Sequence, residues 1–149
     1  FIVIFSGNFA MTKEFKYPLE NLNKIDKVTD LIVSELRQIQ KKEDFDDFNF
    51  FQIVSFAQDK LDLPYPILDT VLLVPLEKKL GVKLVKISDQ NPYNHFQEGS
   101  MNYLLIHCVR FHQNIGNCGD LFKKFYAEYD IRKTIYSDNS ITIYLAKHD

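Results

Sequence analysis

Tryptophan is absent from this chain of 149 residues, and cysteine is scarce. Two cysteines, Cys108 and Cys118, are too few for the disulfide framework of a small secreted scaffold, so the expected setting is reducing and cytoplasmic. Long apolar runs are missing as well. The longest, such as residues 71–75 and 103–106, fall far short of the roughly 20 residues needed to cross a bilayer, which excludes a membrane-spanning helix. Charge of one sign is also lacking: 18 basic and 20 acidic residues leave a net charge of -2, and no third of the chain is polarised. No global field draws it to phosphate backbones or anionic lipid, so membrane is set aside as a partner and nucleic acid is disfavoured, remaining only as an alternative. The opening residues lack the basic start and long apolar centre of a signal peptide, with Met11 as an alternative natural start. No repeat, low-complexity tract or linker interrupts the sequence, and residues 1–149 are read as a single globular domain.

What is abundant is phenylalanine. Thirteen Phe and eight Tyr make most of the packing volume flat and rigid, and Phe45, Phe48, Phe50, Phe51 and Phe56 fall close together. Residues 1–5 read as a strand closed by the turn Ser6-Gly7-Asn8. From Asp26 the period becomes helical, with Val28, Leu31, Ile32, Leu36 and Ile39 recurring, Asp26 as N-cap and Lys41-Lys42 at the C-terminal dipole. This predicts a helix over residues 27–41. Asp46 or Asp47 then caps an expected second helix to about residue 61, through Phe50, Phe51, Val54 and Ala57.

Residues 70–74 read as a buried strand ending at Pro75, residues 76–80 as a helical turn closed by Gly81, and residues 82–87 as a short strand. The polar, turn-rich residues 88–99 read as a long loop. Residues 101–113 are ambiguous between a helix capped by Ser100 and a buried strand over 103–111, with helix preferred. Another helix is expected from Gly119-Asp120 through Tyr129. Alternation in Lys133-Thr134-Ile135-Tyr136 and in Ile141-Thr142-Ile143-Tyr144-Leu145, about Ser137-Asp138-Asn139, signals a hairpin. The expected fold class is α+β, a small and mostly antiparallel sheet packed with three or four helices.

Four side chains with metal-ligating or nucleophilic chemistry, His107, Cys108, His112 and Cys118, lie close in sequence. On a helix Cys108 and His112 would share a face one turn apart; on a strand they would stand about 13 Å apart, too far for one ion. The spacing matches no standard zinc module, so no metal and no cofactor are assigned. The same group could supply a thiolate and a histidine base. His107 and Cys108 point to different sides of either element, leaving His112 or His95 as the partner of Cys108 in a small hydrolase or transferase.

Three segments carry loose resemblances. Gln113-Asn-Ile-Gly-Asn-Cys-Gly119, ahead of a helix, resembles the pyrophosphate-binding turn of acetyl-CoA-dependent N-acetyltransferases, with the glycines one residue too far apart. Residues 94–102 (NHFQEGSMN) are similar to the loop of Fic-type nucleotide transferases in the core formed by Phe96, Glu98 and Gly99. Asn94 stands where that family has its catalytic histidine, Ser100 where it has the metal-loop asparagine and Asn102 where it has the phosphate-binding arginine, so the resemblance implies no active transferase. The order of expected elements over residues 100–145 resembles a winged-helix unit, which keeps a winged-helix-like nucleic-acid-binding domain as the alternative, yet Lys123, Lys124, Arg132 and Lys133 are opposed by Asp120, Glu128 and Asp130.

The remaining constellation is acidic and aromatic. Residues 43–47, with Phe45, Phe48, Phe50 and Phe51, combine charge steering with the aromatic anchors that protein interfaces use. By elimination the expected function is binding to another protein, as an inhibitor, an immunity-type factor or a complex subunit. The expected contact residues are Asp44, Asp46, Asp47, Phe48 and Phe51, with Tyr93 and His95 of the 88–99 loop. The competing arrangement turns the same phenylalanines into the core.

Overall fold

Seven elements organise residues 19–57, 69–84, 102–110 and 118–149, the part of the chain that the computed structural model describes. In chain order they are α1 (Leu19–Glu43), β1 (Phe51–Ala57), α2 (Asp69–Leu80), β2 (Tyr103–Val109), α3 (Cys118–Phe125), β3 (Tyr129–Ser137) and β4 (Ile141–His148). The strands form one sheet in the order β1-β2-β4-β3. β1 and β2 run parallel, in register from Phe51 opposite Tyr103 to Ala57 opposite Val109. β4 is antiparallel to both β2 and β3. The class is therefore α+β, with a mixed sheet in which two of the three pairings are antiparallel.

α1 forms because Ile25, Val28, Ile32, Leu36 and Ile39 recur every three or four residues and are all buried. It is longer at both ends than the 27–41 expected. Asp26 is no N-cap: it lies in the third turn, where Lys79 of α2 bridges its carboxylate at 2.8 Å and that of Asp30 at 2.7 Å. Leu31, expected on the apolar face, is 41% exposed. Thr29 faces inward, and its hydroxyl bonds back to the Ile25 carbonyl at 2.7 Å, so its burial leaves no donor unmet.

The central strands are apolar on both faces. Ile53, Leu105, Val109, Ile141, Ile143 and Leu145 pack with α1 and α2 in one cluster. Val54, Phe56, Leu104, Ile106, Cys108 and Ala146 join Phe122 and Tyr126 in a second cluster on the opposite face. This explains two corrections. Within the helix expected from Asp46 or Asp47 to about residue 61, Phe51–Ala57 form β1, and within the helix preferred over 101–113, Tyr103–Val109 form β2. A short strand covered on both sides reads as an unbroken apolar run, and periodicity alone cannot separate that from a buried helix.

Two further readings change. Residues 70–74 are helical, since α2 continues through Pro75 to Leu80. Proline there removes one N–H, and the carbonyl one turn earlier, at Val71, loses its intrahelical donor. Of the strand expected over 82–87, the described residues 82–84 are irregular. α3 ends at Phe125 rather than running through Tyr129, which instead begins β3. The hairpin is present where expected, with Asp138 at its turn. The strand read at residues 1–5 and the loop at 88–99 lie outside the described residues.

Candidate functional site

The acidic and aromatic constellation sits where α1 ends and β1 begins. Glu43 is the last residue of α1, and Asp44 adopts a left-handed backbone with φ of 57°. The Phe45 N–H then donates to the Gln40 carbonyl at 3.0 Å. A bond back by five residues across a left-handed residue is the Schellman cap, which satisfies a carbonyl that the helix end leaves without a partner. Asp47 orders the following residues, its carboxylate accepting from the Asn49 backbone N–H at 2.9 Å and from the Asn49 amide at 2.7 Å.

The aromatic residues of this loop face inward. Phe45 stacks on Phe50 at 4.6 Å and 17°, and Phe50 also meets Phe48, Phe51 and the edge of Tyr103. Phe48 and Phe51, named above as contact anchors, are 8% and 6% exposed and belong to the core. The carboxylates of Asp44, Asp46 and Asp47 remain at the surface. The structure thus separates what the sequence joined, and the phenylalanines become a pedestal beneath an exposed acidic loop.

A clasp ties this loop to the sheet. Tyr103 begins β2 and lies opposite both Phe51 of β1 and Lys147 of β4. The Tyr103 hydroxyl donates to Glu43 Oε1, the Lys147 ammonium donates to the same oxygen at 2.7 Å, and Lys147 lies 5.2 Å from the centre of the Tyr103 ring. The hydrogen bond from Lys147, followed by that from Tyr103, holds the Glu43 carboxyl below its usual range. Burial, then the bond to Glu43, pushes the Tyr103 hydroxyl up, and the bond to Glu43 raises Lys147. Every shift moves away from neutrality. Each group keeps its ordinary protonation state near pH 7, and the shared bonds tie the end of α1 to the sheet.

Deeper in the sheet, Ser55 and His107 are in register on β1 and β2, with Ser55 Oγ 3.2 Å from His107 Nδ1. Both are essentially inaccessible to solvent. Sequence reasoning paired His107 only with its neighbours in the chain; what it missed is the cross-strand serine, visible only once the register of two parallel strands is known. Cys108 points to the opposite face, as the alternation of a strand requires, and is fully buried. It is disulfide-bonded, so it presents no thiolate and the nucleophile reading fails at that residue. Among the described residues no group of three potential metal ligands converges. Tyr93, His95 and His112 lie outside the described residues, as do most of the two transferase-like segments.

A further polar centre was not anticipated. Asp138 lies in the β3–β4 turn, where Oδ1 accepts the N–H groups of Ser140 at 2.8 Å and Ile141 at 2.9 Å, while Oδ2 accepts the Tyr136 hydroxyl at 2.9 Å and Lys24 at 2.6 Å. Burial opposes its ionisation, but Lys24, the two amides and Tyr136 together hold the carboxyl far below the usual range. Arg110 closes the turn through the Asp138 carbonyl and the Thr142 hydroxyl. An aspartate in a hairpin turn was the available signal; its partner on α1 was not.

No protein-family model, curated protein or solved structure matches this chain.

Proposed function

We propose that this chain acts by binding another protein, and that the acidic loop bearing Asp44, Asp46 and Asp47 is the contact, facing a basic surface on the partner. The observation that carries this reading is Asp44. A left-handed residue at a helix end is most cheaply glycine, and an aspartate there retains strain for the sake of a third exposed carboxylate. The pedestal of Phe45 and Phe50 and the Glu43 clasp fix the loop in advance, which lowers the ordering cost of association. The partner of such a loop is steered by charge, with the association rate falling as salt rises.

Two other readings have less support. A winged-helix unit needs a helix where β2 stands, and the exposed Arg132 and Lys133 are paired with Asp149 and Glu35. The thiol enzyme loses its nucleophile to the disulfide at Cys108.

The test is the double variant Asp44→Asn, Asp46→Asn. Asparagine tolerates the left-handed conformation, so charge is removed while the cap persists. With the partner recovered from the native source, the association rate is expected to fall by about tenfold at low salt. An unchanged rate, in a variant whose folding is intact, removes the acidic loop as the contact.

A further inference from the structure

Exposure separates two kinds of disulfide. Bonds that cycle in catalysis or redox sensing must be reached by another thiolate, whereas bonds that hold a fold are shielded from exchange. Cys108 has no solvent-exposed surface. It sits in the middle strand pairings of the sheet, flanked by Phe56 on β1 and Thr142 on β4, and packs in the cluster of Phe56, Phe122 and Tyr126. Its sulfur is nonetheless disulfide-bonded, and no cysteine among the described residues is free.

We propose that this chain matures in an oxidising compartment and that the disulfide at Cys108 is a permanent structural bond. This reverses the reducing setting expected from the cysteine count. Two cysteines are few, but one bond anchored at the fully buried Cys108 needs no framework around it. In forming it, two thiols lose two protons and two electrons to a disulfide or thiol oxidase of the compartment in which the chain folds, and the Cys108 sulfur is then shut inside the core. Reducing cytosol would keep both thiols free, because glutathione and thioredoxin act on the chain before it closes.

The experiment counts thiols on the protein isolated from its native source, quenched in acid, denatured and treated with iodoacetamide before and after reduction. The expected intact mass shows no added alkyl group before reduction and two per chain after it. Two alkyl groups without reductant overturn the oxidising compartment. A second arm keeps the protein folded in dithiothreitol with iodoacetamide present. Labelling slower by at least tenfold than in denaturant is expected of a permanent bond, and equal rates overturn that part.

Discussion

α1 and α2 end in the same way and with opposite choices of residue. At the end of α2 the Gly81 N–H donates to the Glu77 carbonyl at 2.9 Å and the Val82 N–H to the same carbonyl at 3.3 Å, with Gly81 at φ of 71°. At the end of α1 the same geometry is built on Asp44, at φ of 57°. The glycine is the low-strain solution, and a Cβ placed on it would meet nothing within 4 Å. What the pair teaches is that the chain can cap a helix cheaply and does so at α2. At α1 it accepts the strained residue and adds a side-chain clasp through Glu43, Tyr103 and Lys147.

The comparison can be broken at four points. The largest effect is expected from Glu43→Ala, which leaves the half-buried Tyr103 hydroxyl and Lys147 without their shared acceptor; stability should fall by about 2 kcal/mol in urea unfolding. A loss below a few tenths would mean that the cap alone holds this end. Next is Gly81→Ala, where open space confines the penalty to the backbone, roughly 1 kcal/mol on the same scale. Asp44→Gly should move the other way, gaining about 0.5 kcal/mol while weakening partner binding, as expected of a site that retains strain for function. Lost stability with intact binding would assign the aspartate to the cap.

The smallest effect is one of pH. Glu43 has a depressed folded pKa, so its contribution is fully present above the ordinary glutamate value and is lost as pH falls through the folded one. Lys147, raised in the folded state, contributes fully below the ordinary lysine value and loses its share as pH rises through the folded one. The penalty of Glu43→Gln should therefore shrink in acid, whereas that of Gly81→Ala, a matter of backbone conformation, stays level. Parallel acid dependence of the two penalties would show that the clasp does not set the difference.

How much of this was legible in the sequence follows from which contacts are local. α1 and the β3–β4 hairpin were readable because their apolar positions repeat within the element and their turn residues are adjacent. β1 and β2 were not, because both faces of each are covered by elements distant in the chain, so the alternation that marks a strand is erased. Asp44, Asp46 and Asp47 are exposed, as a polar run at the end of a helix leads one to expect. Phe48 and Phe51 were misplaced, because an aromatic residue beside an aspartate looks the same whether it turns out or in. The clasp and the Asp138 centre join residues 60 to 114 positions apart, and no local pattern announces such pairs.

α1 is fastened near its start by Lys24 to the hairpin turn, at mid-length by Glu35 to Lys133, and at its last residue by Glu43 to the sheet. A rod of 25 residues, about 37 Å long at 1.5 Å per residue, would ordinarily fray from its ends inward. Pinned at these three points, it has little freedom to unwind by itself. Its backbone amides should exchange with deuterium as one block, at the rate set by opening of the whole sheet, and the residues just before the acidic loop should be as slow as those at its centre.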